Sequence, residues 1–489
     1  MAYLQFLGAA GTVTGSKHLI NTVENAAGTQ GFQVLIDCGL FQGKKEWRLR
    51  NWQGMPVPAA QIDAIVLTHA HLDHSGYIPR LVREGFHGPI YATPPTIDLC
   101  SVMLPDSGHL QEEEAHFHNK KGTSKHRPAL PLYTSREAED SLSLFKPVQF
   151  GAVQPLSDEL SFRFVHAGHI LGSCMVELFF AQSSKQHKFL FTGDVGRVPL
   201  PCPDPSEPVQ AEGSVPGRVV HAGPDPGEDA ELLVMESTYG SRSHPRTDVR
   251  LELAHLIQET AHRGGSVIVP AFAVERTQKF LFIVKELMEC GRSPRIPVFI
   301  DSPMAIKAVE IFMKYASEFN EEARELVGQY GSPLDWEGFR FAPKQEDSRK
   351  INEAHYPCII VSSSGMVTGG RVLHHLMQRL PDPRNQVIFI GFQSPGTRGD
   401  IIKSGARSVR IFSQEVPIRA RVAALEQFSD HADTEELLCW LSSFKNRPET
   451  TFLVHGEPEA ASLLQQTISS KLGWNVKVAE WMQKVTLDQ

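Results

Sequence analysis

Three imidazoles and a carboxylate fall within six residues at His69-Ala70-His71-Leu72-Asp73-His74, directly after the apolar run Ala64-Ile65-Val66-Leu67. An apolar run of that length bounded by a polar segment reads as a buried strand. The four side chains are then delivered at a strand's C-terminal end, where α/β sheets place their ligands. Histidine with aspartate suits zinc, whose bonds to imidazole nitrogen and carboxylate oxygen are ~2.0 to 2.2 Å. In a loop leaving that strand, His69 and His71 address one ion while Asp73 and His74, a step further on, reach a second. A solvated histidine-rich loop is the rival reading, and this spacing disfavours it.

Four single residues share the local context of the cluster, each just after an apolar run and beside glycine: Asp37 in Leu35-Ile36-Asp37-Cys38-Gly39, His169 in His166-Ala167-Gly168-His169, Asp194 in Phe191-Thr192-Gly193-Asp194, and His455 in Leu453-Val454-His455-Gly456. Alone, each reads more readily as a turn former. Together with the cluster they supply the further ligands, one of them a bridging carboxylate, that a two-metal site needs. Gly8-Ala9-Ala10-Gly11-Thr12-Val13-Thr14-Gly15 superficially suggests a dinucleotide site, but its spacing is not Gly-x-Gly-x-x-Gly, and the following His18-Leu19-Ile20 reads as a strand rather than a helix opening.

At 489 residues the chain exceeds a single core of ~250 to 300 residues, so more than one domain is expected. Strand-like runs and Gly-rich turns alternate over the first 200 residues, with a helical pattern at Ser75 to Glu84. The class is α/β with layered sheets. From 199 to 230 the composition shifts to Pro, Gly and acid, which reads as a loop or linker. Runs at Leu232 to Met235, Ser266 to Val269, Val298 to Ile300, Cys358 to Val361 and Val387 to Ile390 follow. Helix-length patterns such as Asp248 to His262 separate them, the sign of parallel strands with crossover helices. No run approaches the ~18 apolar residues of a membrane span, and Met1 to Gly8 has no basic segment leading into an apolar one, so a cytoplasmic protein without membrane partners is expected. Seven cysteines without a Cys-x-x-Cys pair argue against a disulfide scaffold and a thiolate zinc site, and reduced thiols are expected. The net charge of -8 looks wrong for a nucleic-acid binder, but residues 241–410 carry 23 Lys+Arg against 19 Asp+Glu. If that excess is more than scatter, the middle segment is the part that faces phosphates.

Asp37, His69-x-His71-x-Asp73-His74, His169 and Asp194 resemble, in order and context, the four motifs of the metallo-β-lactamase superfamily. Glu236-Ser237-Thr238-Tyr239-Gly240, Phe428-Ser429-Asp430-His431-Ala432-Asp433 and Leu453-Val454-His455-Gly456-Glu457 resemble the three additional motifs of its β-CASP branch, the nucleic-acid-processing nucleases. The resemblance spans nearly the whole chain. It implies an αββα sandwich formed by residues 1–200 and 411–489, split by an inserted β-CASP α/β domain at 201–410, with the active site in the cleft between them.

Residue by residue, the resemblance implies two Zn2+ per chain: one on His69, His71 and His169, the other on Asp73, His74 and His455, with Asp194 bridging. Asp37 stands behind them and orients an imidazole. Water activated by the two metals attacks phosphorus. His431, held protonated by Glu236, gives a proton to the leaving ribose oxygen. Histidine at 455, rather than the valine of DNA-directed relatives, points towards RNA, and the cleft suits a single strand. On the substrate side, Arg276 resembles the family's cleft arginine, and Ser364 and Gly365 in Ser362-Ser363-Ser364-Gly365 become phosphate contacts. Asp430 stands before His431 where relatives usually have a small residue, which bears on the histidine's charge and alignment. No extra N-terminal RNA-binding domain like those of archaeal relatives and no long C-terminal extension like that of ribonuclease J is read in the sequence. RNA-processing partners are therefore expected to supply specificity, and a homodimer is the other association considered. Two other classes compete with a zinc-dependent ribonuclease. A small-molecule thioester or lactone hydrolase would need neither the large insert nor Glu236 and His431, and a non-catalytic scaffold of an RNA-processing complex would not need a complete ligand set.

Overall fold

Short apolar runs, most of them buried on both faces, build two seven-stranded sheets. A computed structural model describes residues 2–22, 31–122, 124, 126–182, 185–198, 200, 223–332, 336–353, 356–391, 393–394 and 396–487. These fall into two compact units, one holding the chain up to Leu200 with Gly223–Ser243 and the segment from His431 onward, the other holding His244–Asp430.

In the first unit, one sheet runs in the order Lys484–Thr486, Tyr3–Phe6, His18–Asn21, Gln33–Ile36, Ala64–Val66, Ile90–Ala92 and Phe145–Pro147. The other runs Val476–Val478, Thr450–Val454, Leu232–Glu236, Lys185–Phe191, Cys174–Gln182, Leu160–His166 and Val153–Pro155. Because successive side chains point to opposite faces of a strand, Leu4, Phe6, Val34, Ile36 and Val66 of the first sheet meet Phe162, Phe164, Val176, Phe191, Val234 and Phe452 of the second in one core. Their neighbours Leu190, Leu233, Met235 and Leu453 point the other way, onto Leu437 and Leu441 of the helix Thr434–Leu441 and Leu464 and Ile468 of the helix Pro458–Leu472. Leu19, Leu35 and Ile65 are as buried as the inner residues, so the outer face of the first sheet is covered too. This is the expected sandwich of sheets with helices outside.

The second unit is built on a six-stranded sheet, Phe339–Phe341, Val298–Ile300, Ile359–Ser362, Val267–Pro270, Gln386–Phe389 and Arg421–Ala424, in which every pairing is parallel. Several of its helices start at a side-chain cap, on Asp248, Ser302, Asn320 and Thr397. Asp248 accepts from the Arg250 N–H to open Val249–His262, whose Leu253, Ala254 and Ile257 form the buried stripe.

The units divide the chain differently from the expected segments, for reasons of strand pairing. Leu232–Glu236 lies between Lys185–Phe191 and Thr450–Val454, which draws it into the sandwich rather than the insert. Arg421–Ala424 pairs with Gln386–Phe389, which keeps the chain in the insert's sheet past residue 410. Of the Pro-rich stretch expected at 199–230, Pro199 and residues 201–222 lie outside the described residues. Its end is well anchored: Asp225 accepts from the His166 N–H and from the Trp440 indole, and Gly227 packs on Phe444. The helical pattern from Ser75 to Glu84 resolves into Leu72–Ser75 and Ile78–Arg83, interrupted at Gly76. His18–Asn21 is a strand antiparallel to Tyr3–Phe6, which removes the dinucleotide reading of the Gly8 to Gly15 turn. Cys38, Cys100, Cys174, Cys290 and Cys358 are free thiols, whereas Cys439 is disulfide-bonded. No helix among the described residues is long and apolar enough to cross a membrane.

Candidate metal centre

Strand direction brings the predicted ligands to one place. Gln33–Ile36 and Ala64–Val66 are neighbouring parallel strands, so Asp37 and the His69 to His74 segment leave the first sheet side by side. Lys185–Phe191, Leu232–Glu236 and Thr450–Val454 are parallel neighbours in the second sheet, and their C-terminal ends carry Asp194, Glu236 and His455. His169 lies in the turn joining the antiparallel strands Leu160–His166 and Cys174–Gln182, at the same sheet edge. Asp73 and His74 fall on the helical turn Leu72–Ser75 rather than in an open loop. Asp37 and His455 adopt φ of 60° and 48°, a left-handed conformation uncommon for residues other than glycine and one that clusters at functional sites.

The donors converge in two groups. His71 Nδ1 lies 3.2 Å from His69 Nε2 and 3.2 Å from His169 Nε2, and Asp194 Oδ2 lies 3.5 Å from His69 Nε2 and 3.4 Å from His169 Nε2. In the second group His74 Nε2 and His455 Nε2 are 3.2 Å apart, with Asp73 Oδ2 3.4 Å from the latter. Asp194 Oδ1 lies 3.3 Å from His74 Nε2 and 3.3 Å from His455 Nδ1, so the two oxygens of one carboxylate are divided between the groups. A neutral imidazole donates from only one nitrogen, so three rings meeting at a point cannot satisfy one another with protons. Their spacing instead matches the edge of a tetrahedron built on zinc–nitrogen bonds, roughly 3.3 Å for bonds of ~2.05 Å. The residues therefore fit a metal.

Burial pushes His69 and His169 well below their ordinary histidine range and His71 down to about 4, so these rings are neutral with lone pairs to offer. Burial opposes charge on His74 as well, but the Asp194 and Asp37 carboxylates outweigh it and raise the imidazole well above its usual value. Burial would raise Asp194, yet the surrounding His455, His74 and His431 hold it well below the carboxylate range. Asp37 is 1% exposed; its Oδ1 accepts the Thr68 N–H at 2.8 Å and its Oδ2 lies 2.6 Å from His74 Nδ1. That contact orients the ring and turns His74 Nε2 toward Asp194.

Beside this cluster, His431 Nδ1 lies 3.0 and 3.1 Å from the two carboxylate oxygens of Glu236. Glu236 is fully buried and is itself held, Oε1 accepting the Val195 N–H at 2.6 Å. The other ring nitrogen of His431 is 3.9 Å from Asp194 Oδ2, which puts the pair against the bridging aspartate.

Arg276, Ser364 and Gly365 belong to the other unit. Arg276 is 9% exposed, with Nε 3.5 Å from Asp430 Oδ2 and its guanidinium 5.0 Å from the Phe272 ring centroid. Gly365 packs on the same ring, where a Cβ would come within 2.7 Å. Ser364 Oγ pairs with Thr368 Oγ1 at 3.0 Å. Asp430, the unexpected neighbour of His431, directs its carboxylate to Lys279 and Arg276. In the glycine-rich segment 391–399, Phe392 and Pro395 lie outside the described residues. Two contributors escaped sequence reasoning: Thr68, whose hydroxyl lies 3.0 Å from Asp37 Oδ2, and Thr238, whose hydroxyl is 3.1 Å from His455 Nδ1. Threonine is too common at strand ends for either to stand out, although Thr68 adjoins the histidine cluster.

Residues 28–191 match the family model described as a metallo-beta-lactamase superfamily domain, 277–402 a Beta-Casp domain, and 415–479 a Zn-dependent metallo-hydrolase RNA specificity domain. The chain is 35% identical over 476 residues, 97% of each sequence, to Ribonuclease TTHA0252 of Thermus thermophilus. It is 31% identical over 93% of its length to Transcription termination factor FttA of Pyrococcus abyssi, covering 67% of that protein, and 30% identical to the RNase J-like protein of Methanocaldococcus jannaschii, covering 88% of each. A crystal structure of a protein of unknown function from Enterococcus faecalis V583 shares the fold, with a TM-score of 0.51 at 14% identity over 99% of this chain and 100% of that one. With its ligand groups at the ends of sandwich strands and matching family domains on both sides of residue 244, the chain belongs to the β-CASP branch of the metallo-β-lactamase superfamily, the branch of metal-dependent RNA-processing nucleases.

Proposed function

We propose that the chain is a ribonuclease using two zinc ions, one on His69, His71 and His169 and one on Asp73, His74 and His455, with Asp194 shared, and that it hydrolyses phosphodiester bonds of single-stranded RNA. The observation that carries this reading is the division of Asp194 between two converging donor groups. Bound there, the metals supply Lewis acidity toward the phosphoryl oxygens and lower the pKa of a water to near neutrality. The protein's own groups do the rest. Asp37 takes the proton of His74 Nδ1 in a hydrogen bond and so leaves Nε2 as the donor atom. Glu236 fixes His431 through Nδ1, leaving Nε2 to give a proton to the leaving ribose oxygen. On the second unit, Arg276, Ser364 and Gly365 contact phosphates. In support, Arg276 Nη1 is without a hydrogen-bond partner among the described residues.

The test offers purified protein an end-labelled RNA and a thioester side by side, with zinc and with chelator, after elemental analysis. The expected result is about two zinc ions per chain, RNA cleavage that the chelator abolishes, and an untouched thioester. Asp73→Ala should keep RNA binding and lose cleavage. Binding without cleavage by the unaltered, zinc-loaded chain would make it a scaffold instead.

A further inference from the structure

We propose that the surface around the short helix Lys45–Arg50 is a stacking platform for single-stranded RNA, feeding the strand toward the metal centre; this rests on the ribonuclease reading above. The helix buries none of its residues. It nevertheless carries Trp47 and Leu49, and Trp52 follows it; Leu49 and Trp52 are each 49% exposed. Trp481, 46% exposed, comes up beside them from the far end of the chain, its indole donating to the Leu7 carbonyl at 3.2 Å. The Arg50 guanidinium lies 4.3 Å from the Trp47 ring and 4.0 Å from the Trp481 ring, which ties the two indoles into one surface. The chain has six tryptophans, and Trp440 and Trp474 are core residues, so the exposed indoles concentrate here.

Charge selects the partner. Residues 44–50 hold Lys44, Lys45, Arg48 and Arg50 against Glu46 alone, in a chain of net charge -8. Indoles interleaved with cations suit a single strand, whose bases stack on aromatic faces while its phosphates meet the ammonium and guanidinium groups. An anionic membrane would take the same indoles and cations, but the attachment of this surface to the ligand segment of a ribonuclease favours the strand that the centre cleaves. Hydrogen bonds and packing connect the platform to the ligand segment. Asn51 bonds both the N–H and the carbonyl of Phe41, at 2.9 and 2.8 Å, and Gly39, two residues earlier, packs directly on the Asp73 carbonyl. At most ~7 Å of extended chain separates Gly39 from Phe41, so the platform begins within a few nucleotides of the centre.

The experiment uses the full zinc-loaded chain. Binding of a labelled uridine 20-mer RNA is followed by anisotropy in an Asp73→Ala background, and turnover of RNA and of bis(p-nitrophenyl) phosphate is measured with Asp73 intact. Trp52→Ala should weaken RNA binding roughly 5- to 150-fold, with Trp52→Phe restoring most of it. The triple change Lys44→Gln, Lys45→Gln and Arg48→Gln should make the salt dependence shallower by about 2 in log–log slope. Both should raise KM for RNA and leave kcat on the small phosphodiester unchanged, since that substrate needs only the metal centre. If the unaltered chain cleaves RNA and these variants match it in binding and KM, the platform is refuted and the ribonuclease reading stands. If the unaltered chain neither binds nor cleaves RNA, both fall. Sedimentation showing that the variants dissociate a dimer while still binding RNA fully would assign the surface to a second copy and overturn the proposal.

Discussion

Replacing Asp37 by asparagine tests the metal centre through a residue placed behind the ligands. Asparagine has the shape of aspartate and tolerates the left-handed φ of 60° at this position, so the backbone needs no adjustment. Its amide oxygen can keep the Thr68 N–H bond of 2.8 Å. The other oxygen becomes an NH2 group and faces His74 Nδ1 at 2.6 Å. A donor cannot accept from Nδ1–H, so His74 must adopt the opposite tautomer, with its proton on Nε2, the atom 3.3 Å from Asp194 and 3.2 Å from His455 Nε2. That proton occupies the lone pair needed for a metal. The loss should therefore fall on one ion: affinity at the Asp73, His74 and His455 group drops ~10- to 100-fold, while the His69, His71 and His169 group is unaffected. Loss of the charged hydrogen bond costs a further ~1.5 to 3 kcal/mol of stability. Equilibrium dialysis against graded free zinc, read by elemental analysis, should show two separated saturation steps where the unaltered protein shows them closer together. Unchanged affinities for both ions would refute the claim that Asp37 sets the His74 tautomer.

His431→Ala and Glu236→Gln should each lower kcat on RNA by ~10²- to 10⁴-fold at unchanged zinc content, because the proposed mechanism makes them a proton donor and its anchor and not metal ligands; zinc loss in either variant would overturn that assignment. Chelation should lower the melting temperature as well as abolish activity, since binding at 100 times Kd contributes ~2.7 kcal/mol; calorimetry with and without chelator checks this, and identical transitions would mean the donors hold no ion. Lys17 is 3% exposed, held over the Phe41 and Tyr77 rings, and burial pushes it down to about 8. With the folded value below that of the free side chain, the unfolded state binds more protons between the two, so stability rises as pH climbs through about 8. Urea melts of metal-free protein at pH ~8 to 10 should show this rise reduced in Lys17→Met by up to one proton, ~1.4 kcal/mol per pH unit; parallel profiles would refute it.

Much of the site was legible because metal chemistry leaves a dense local signal. The His69 to His74 cluster stood out by spacing alone, whereas Asp37, His169, Asp194 and His455 each read as turn formers until taken together with it and with the family's motifs. The domain limits were less legible. A strand's sequence declares that it is a strand but not which partner it will pair with, and that choice moved Leu232–Glu236 and Arg421–Ala424 across the expected limits. The composition of 199–230 suggested a loose linker, yet Asp225 and Gly227 near its end are pinned by Trp440 and Phe444, contacts more than 200 residues away in sequence.

By itself the sequence determined the candidate donor set, the apolar runs that form the buried strands, and the parallel α/β character of the insert. All three follow from side-chain chemistry and local periodicity, which are properties of a few neighbouring residues. The family resemblance, not the spacing of the residues, raised the expectation that Asp194 is shared, that Asp37 stands behind the ligands and that Glu236 meets His431. Only the tertiary structure brings these groups, with Thr68, within contact distance. Those relations depend on the parallel register of strands far apart in the chain, and hydrogen-bonded register is settled by packing across the whole sheet rather than by any one segment.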